Sequence, residues 1–281
     1  MAAEPRIVSL VPSVTELVCD LRLAPRLVGR TGFCVHPWET VRRVPKVGGT
    51  KDVRLERVRE LAPTHVIVNV EENRREDAEA LAEFVPEVIV TDPRAPRDNL
   101  DLYRQLGAAF GREREAEHLC RRFERAYASA AAAAAERPAE RVLYLIWRDP
   151  WMTVAEDTYI SRTLALFNWH TQPATATLNA APTNVCNPEG YKRSAVRYPE
   201  VELADFAGRV DRVLLSSEPF HFKERHLEEV AAAVPGAAVS LIDGEMTSWY
   251  GSRAITGLGY LSEYTSGAAS CCRAIGEDGG G

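Results

Sequence analysis

The sequence of 281 residues lacks long apolar runs and long basic clusters, and each absence excludes a class of partner. No stretch approaches the roughly 20 apolar residues of a membrane-spanning helix, so we expect no membrane insertion. The formal net charge of −6 and the lack of a lysine- and arginine-rich cluster argue against nucleic acid as a partner.

An export signal is also missing from the sequence. Such a signal needs a basic segment followed by an apolar one, and neither precedes the first predicted strand. This predicts a cytoplasmic location. The alternative is a periplasmic or lipid-anchored protein from which a signal has been removed.

The six cysteines show no regular spacing, which favours reduced thiols over a disulfide framework in a chain of this length. Common catalytic and nucleotide-binding motifs are missing as well: there is no nucleophile elbow, P-loop, glycine-rich dinucleotide fingerprint or paired CxxC. These absences favour a binding protein, although they leave an enzyme open as the alternative.

The opening segment RIVSLVPSVTEL predicts a strand followed by a helix. Ile7–Leu10 is apolar and partly β-branched, as a buried strand requires. Ser13 and Glu16 have the spacing of a capping box. Later helices have similar starts: Asn73 and Glu76 repeat this spacing, and Asp52 is placed to cap a helix after it.

Strands and helices continue to alternate along the chain. Further strands are predicted at residues 27–29, 66–68, 88–90, 142–146, 213–215 and 238–242, and later helices at 158–169, 223–234 and 252–264. Because strands separated by helices need crossover connections, the pattern predicts mostly parallel sheets with helices on both faces.

The middle of the chain is helical from residue 98 to 136, with a break near Gly111. The second piece, about 25 residues long, would form a rod of roughly 37 Å, long enough to link two lobes. We therefore predict an α/β protein with two lobes joined by a long backbone helix. The predicted domains are residues 1–97, 98–137 and 138–268, followed by a disordered tail at 269–281.

Aromatic residues follow three predicted strands of the second half. Ligands bind beyond the carboxyl ends of parallel strands, so these residues are candidates for an aromatic binding site. The candidates are Trp147, Trp151, Phe220, His221, Trp249 and Tyr250. In the first half, Ser13 follows the first strand at a helix start, where amides could hold a polar or anionic group.

Three segments carry a family resemblance: RIVSLVPSVTEL, VPKVGGTKDVRLERVRELAPTHVIV and DGEMTSWYGSRAITGLGYL. With the central rod, they resemble the helical-backbone (class III) substrate-binding proteins of bacterial ABC importers, in their cobalamin-receptor branch. The resemblance covers nearly the whole chain except residues 170–197 and the tail. It implies two α/β lobes and a bulky ligand, such as a corrinoid or metal chelate, in the cleft between them.

The resemblance also implies particular residues. Its ligand contacts would fall near Phe33, Thr50, Glu71, Trp147, Tyr198 and Trp249. Such receptors dock on their permease through one carboxylate per lobe. Glu56 matches the first, but the second falls near Ala204, with only Asp205 adjacent. A small-molecule ligand is therefore predicted more firmly as a partner than an ABC permease. We expect the chain to be a cytosolic derivative of an importer receptor.

Two alternatives remain open from the residues alone. Cys34 and His36, with His170 and Cys186, could form a site for a soft metal ion, although their spacing matches no common metal-ligand motif. If the chain is an enzyme, His221 between two phenylalanines is the candidate general base, with Glu71 and Glu245 as carboxylates. The favoured interpretation of His221 is a residue that stacks on the ligand.

Overall fold

A computed structural model describes residues 4–174 and 197–267 and divides them into two compact units. The first unit contains residues 4–93, 97–125 and 250–255, and the second contains residues 94–96, 126–174, 197–249 and 256–267. The predicted tail and most of the 170–197 segment lie outside the described residues.

Four parallel strands form the sheet of the first unit, in the order β2-β1-β3-β4. The strands are β1 (Ile7–Ser9), β2 (Leu27–Arg30), β3 (His65–Asn69) and β4 (Glu87–Thr91). Apart from half-buried His65, the residues of β3 are buried, because helices cover both faces of a parallel sheet. The core of this unit is rich in valine and leucine, with Val8, Val66 and Leu81 fully buried.

The sheet of the second unit is also mostly parallel, in the order β6-β5-β8-β9, with β7 paired to the start of β5. Its strands are β5 (Glu140–Trp147), β6 (Met152–Thr153), β7 (Trp169–Thr171), β8 (Arg212–Ser216) and β9 (Ala238–Ile242). Only the β5–β6 pair is antiparallel among the described strands. Leu143, Val213 and Val230 are fully buried in its core.

The helices follow the strands along the chain. They are α1 (Pro12–Asp20), α2 (Trp38–Val41), α3 (Leu55–Glu60), α4 (Arg75–Ala82), α5 (Asp98–Phe110), α6 (Glu113–Ala134), α7 (Tyr159–Ala165), α8 (Arg225–Ala233), α9 (Gly244–Ser248) and α10 (Arg253–Thr265). Gly111 ends α5 in the left-handed conformation, with φ of 63°, as the predicted break requires. At 22 residues, α6 carries residues of both units.

The predicted fold class is confirmed: the chain is an α/β protein with two mostly parallel sheets. The predicted strands all form, but β6 and β7 were not foreseen. The helix predicted to run to Trp169 ends at Ala165 instead. Asn168 then adopts a positive φ of 60°, and Trp169 begins β7.

The predicted capping boxes do not form. Pro12 occupies the first turn of α1, and its fixed φ starts that helix after Val11, so Ser13 lies inside it and caps nothing. Helix α4 begins after Arg74, and the Asn73 side chain bonds other segments. Helix α3 begins after Arg54 without a side-chain cap, so Asp52 is not its cap.

Candidate functional site

Buried hydroxyls follow β1 in the first unit. The Thr15 hydroxyl donates to Ser9 Oγ at 2.8 Å and lies 2.9 Å from the carbonyl oxygen of Val11. Ser13 Oγ is buried and has no hydrogen-bond partner in the described part of the chain. The predicted contact residue Ser13 is therefore polar and desolvated, not exposed at a helix start.

The turn after β2 contains a buried arginine and an exposed ring. Arg30 is 1% exposed and donates to three backbone carbonyls, those of Val41, Thr31 and Cys34, at 2.8–3.0 Å. These bonds hold the loop from which Phe33 projects with 63% of its surface exposed. Phe33, a predicted ligand contact, is thus an exposed ring on a well-held loop.

Two asparagines organise the turn after β3. Asn69 Nδ2 donates to the carbonyl oxygen of Thr91 at 3.0 Å, and its Oδ1 accepts from the amides of Glu71 and Glu72 at 2.8 and 3.2 Å. Asn73 Nδ2 donates to the carbonyl oxygen of Thr50 at 3.0 Å. The predicted contacts Thr50 and Glu71 therefore belong to one hydrogen-bonded loop system.

The chain segment that returns to the first unit at residue 250 is bonded to that same edge. The Tyr250 hydroxyl donates to the Glu72 carboxylate. Gly251 accepts from the Tyr103 hydroxyl at 2.9 Å and donates to Asn99 Oδ1 at 2.7 Å. With φ of +80° and a position where a Cβ would lie 3.0 Å from the Ser13 carbonyl oxygen, this residue needs to be glycine.

Aromatic rings group at the carboxyl ends of β5 and β8 in the second unit. Trp147 and Phe220 lie 5.8 Å apart edge to face, and Phe220 and Phe222 lie 4.7 Å apart. Trp151 stacks parallel to Phe222 at 6.0 Å. Trp147 keeps 40% of its surface exposed, whereas Phe222 is buried. The structure therefore brings Trp147, Trp151 and Phe220 together around Phe222, which sequence reasoning did not select.

His221 is not in the apolar setting that its phenylalanine neighbours suggested. It is exposed, and its Nδ1 lies 3.2 Å from the carbonyl oxygen of Ser217. The buried histidine is His226, which lies 5.7 and 5.6 Å from the rings of Phe220 and Phe222. Burial, with Arg225 and Arg148 nearby, lowers the pKa of His226. Period-two alternation after a strand would have pointed Phe220 and Phe222 to one side and His221 to the other.

Trp249 is fixed by a carboxylate that sequence reasoning missed. Its indole Nε1 donates to Glu218 Oε1 at 2.7 Å. Burial raises the pKa of Glu218, while the hydrogen bonds from Ser248 and Trp249 lower it. Glu218 lies two residues after the end of β8, so its position at the carboxyl end of that strand could be predicted from the sequence.

Beside Trp151 the second unit contains an open cavity of about 610 Å³. Its lining residues include Phe206 and Arg209 and the carboxylates Glu200, Glu202 and Asp205. Tyr198, a predicted contact residue, is half-buried and precedes Pro199, whose carbonyl oxygen accepts from the amide of Thr153.

The geometry around Cys34 does not favour thiolate coordination. Its Sγ lies 3.1 Å from Thr31 Oγ1, and burial raises the pKa of the thiol. Across residues 4–174 and 197–267, no three His, Cys, Asp or Glu side chains group closely enough to hold a metal ion. Cys186, one member of the predicted soft set, lies outside the described residues.

The two predicted docking positions are on the surface of their units. Glu56 is exposed on α3, 3.7 Å from Arg59 Nε. Ala204 and Asp205 are exposed on the 3-10 turn Leu203–Phe206. Within the described part of the chain, no helix has the length and apolar character needed to cross a membrane.

The chain is an α/β protein with two mostly parallel sheets, and polar or aromatic residues follow the strands of each sheet. The sequence profile described as periplasmic binding protein matches residues 7–194, and the chain belongs to that family. The family name refers to the periplasm, which corresponds to the alternative location given above, a periplasmic or lipid-anchored protein, and not to the cytoplasm. The predicted resemblance to importer receptors is confirmed.

Solved structures of the same fold include receptors for cobalamin and haem. The periplasmic vitamin B12 binding protein BtuF of Vibrio cholerae is 15% identical, with a TM-score of 0.76, covering 94% of this chain and 98% of that one. The periplasmic heme-binding protein RhuT from Roseiflexus sp. RS-1 is 21% identical, with a TM-score of 0.75 and coverages of 95% and 100%.

The periplasmic heme-binding protein HutB of Vibrio cholerae is 20% identical, with a TM-score of 0.72 and coverages of 93% and 99%. No curated protein sequence matches the chain. At these identities the structural likeness establishes the fold, and the ligand has to be argued from the residues of this chain.

Proposed function

We propose that this chain binds a bulky, partly aromatic small molecule, a corrinoid or a similar metal chelate, without transforming it. The observation that carries the proposal is the ring cluster of Trp147, Trp151, Phe220 and Phe222 at the strand ends of the second unit. Flat apolar ligands gain both buried area and ring contacts from such a wall.

The predicted contact residues favour a corrinoid over haem. They are Ser13, Phe33, Thr50, Glu71, Trp147, Trp151, Tyr198, Phe220, His221, Trp249 and Tyr250, and none is lysine or arginine. A haem carries two carboxylates that pair best with cationic side chains. A corrinoid carries mostly neutral amides at its periphery, which aromatic and hydroxyl groups can accommodate.

The family and its relatives support small-molecule binding as the activity. The solved proteins of this fold include one that binds vitamin B12 and others that bind haem, both macrocyclic metal chelates. The proposal places this chain in the same ligand class.

Our proposal also keeps the expectation of a cytosolic derivative separated from its permease. Its support is Ala204, exposed on the 3-10 turn where the resemblance implies a docking carboxylate. Fractionation of the source organism with an antibody to the chain tests it, since recovery in the periplasmic or membrane fraction contradicts it.

The enzyme alternative has less support. Its general base, His221, is exposed, whereas the sequence pattern suggested an apolar setting for this residue.

Titration of intrinsic tryptophan fluorescence with cyanocobalamin and with hemin tests the proposed function. We expect saturable binding of the corrinoid, and at least about tenfold weaker binding for Trp147→Leu because its exposed ring is lost. Trp38→Leu, which removes an exposed tryptophan outside the predicted contacts, is the matched control and should bind like the wild type. Absence of saturable binding to either macrocycle contradicts the proposal.

A further inference from the structure

Glu218 lies at the centre of a hydrogen-bonded group at the ends of β8 and β9. Its Oε1 accepts from Trp249 Nε1 at 2.7 Å and from the Ser248 hydroxyl at 2.8 Å. Its own amide donates to Ser216 Oγ at 3.3 Å. A carboxylate oxygen that accepts two donors is held firmly in position, and it holds the Trp249 indole in turn.

The close approach of Glu218 to α9 depends on a glycine. A Cβ on Gly244 would lie 2.5 Å from Glu218 Cγ and 2.5 Å from Ser216 Oγ. The Gly244 amide donates to Ser217 Oγ at 2.8 Å and fixes the same junction. The absence of a side chain at this position therefore leaves room for the Glu218 carboxyl beside the predicted contact residue Trp249.

The second carboxyl oxygen of Glu218 is available. Oε1 takes both side-chain donors, and across residues 4–174 and 197–267 Oε2 has no hydrogen-bond partner. The residue is only half-buried. A carboxylate has lone pairs for about four hydrogen bonds, so Oε2 can accept from a group that arrives from outside the protein.

The charges nearest to Glu218 determine which chemical group of a ligand can bind at its Oε2. Burial raises the pKa of Glu218, and the neighbouring carboxylates of Glu245 and Asp243 raise it further. A ligand carboxylate placed here would add a further negative charge to a partly desolvated site, which is unfavourable. A ligand N–H donor would instead supply the hydrogen bond that Oε2 lacks.

We propose that Glu218 is a ligand-binding residue that holds Trp249 with one oxygen and accepts an amide N–H of the ligand with the other. The inference rests on the proposed function and narrows its ligand class to amide-bearing corrinoids, in contrast to macrocycles that carry carboxylates at this point. Glu218 thereby acts as a specificity determinant next to the aromatic wall.

A matched pair of corrinoids tests this inference: dicyanocobinamide, which carries amides, and dicyanocobyrinic acid, which carries carboxylates in their place. For the wild type we expect about tenfold or greater preference for the amide form. Glu218→Gln keeps an oxygen for Trp249 but presents an amide N–H to the ligand, so the preference should shrink severalfold. Glu228→Gln, an exposed glutamate on α8, is the control and should keep it.

A nitrogen-15 spectrum of the free protein separates folding and positioning from ligand contact. The Trp249 indole resonance, assigned with Trp249→Phe, should move little in Glu218→Gln and strongly in Glu218→Ala, because only the alanine removes its acceptor. If Glu218→Gln keeps the wild-type preference, Glu218 is not a ligand contact and only this inference falls. If the wild type binds hemin but no corrinoid, this inference falls as well, and if it binds neither macrocycle the proposed function falls with it.

Discussion

In the first unit the side chains after β3 are mainly amides that tie neighbouring loops together, whereas in the second unit the residues after β5 and β8 include rings that pack on one another. In both units these residues lie at the carboxyl ends of strands in a mostly parallel sheet, and we call each such end a binding edge. The difference shows that strand topology fixes where a binding edge lies, and the residues after each strand decide its chemistry.

The two edges should consequently respond to different losses. Hydrogen bonds among buried groups are costly to leave unmade, while a packed ring stabilises by the apolar area that it removes from water. Three changes, from the largest expected effect on stability to the smallest, test that contrast.

The strongest test removes a buried ring from the second edge. Phe222→Ala should lower the free energy of unfolding by about 3–5 kcal/mol, because it leaves a cavity between Trp151 and Phe220. Urea unfolding measures the loss. Trp147→Ala, which removes a ring that is 40% exposed, should cost much less. Equal losses for the two variants would mean that the cluster is not a packed unit.

The corresponding change in the first edge removes an amide. Asn69→Ala should cost about 2–3 kcal/mol in urea unfolding, because the amides of Glu71 and Glu72 lose this acceptor and the carbonyl of Thr91 keeps only the Val70 amide as a donor. Asn69→Asp keeps an acceptor for the two amides and should lose less. If both substitutions cost the same small amount, the loops are not held by this side chain.

The smallest expected effect on stability concerns the amino-terminal ends of β5 and β8, where Arg141 and Asp211 form an ion pair. Arg141 donates to both carboxylate oxygens of Asp211 and holds the pKa of that group at about 2, below its ordinary value of 3.8. Because the folded-state pKa is depressed, the pair stabilises the fold above about pH 4, and the contribution is lost as the pH falls towards 2.

Asp211→Asn isolates this pH-dependent contribution. The difference in unfolding free energy between wild type and Asp211→Asn should shrink between about pH 4 and pH 2, and added salt should reduce it because both partners are largely exposed. A difference that does not change over this interval contradicts the pairing.

Local patterns predicted the strands well. The apolar runs at β3 and β8 are buried or half-buried as their residue types require, and so is β9 after its exposed first residue, Ala238. Gly111 ends α5 as its conformational freedom suggests. The capping boxes predicted from residue spacing were wrong, because Pro12 starts α1 after Val11 and the Asn73 side chain donates to the carbonyl oxygens of distant segments. The partner of a polar side chain is a tertiary property that spacing along the chain does not reveal.

The candidate site divides in the same manner. The strand ends could be found from the sequence, and so could the aromatic residues Trp147, Trp151 and Phe220. The burial of His226 in place of His221 and the bond from Trp249 to Glu218 could not be found, because each depends on which way a turn presents its side chains.

The sequence by itself determined the alternating strands and helices, the long central helix and the family resemblance, since each arises from residue types at short range. Only the tertiary structure decided that Phe222 supports the aromatic wall and that Glu218 holds Trp249 while keeping one oxygen available. Those relations join segments about 30 to 70 residues apart, and the packing of strands side by side is what brings such segments into contact.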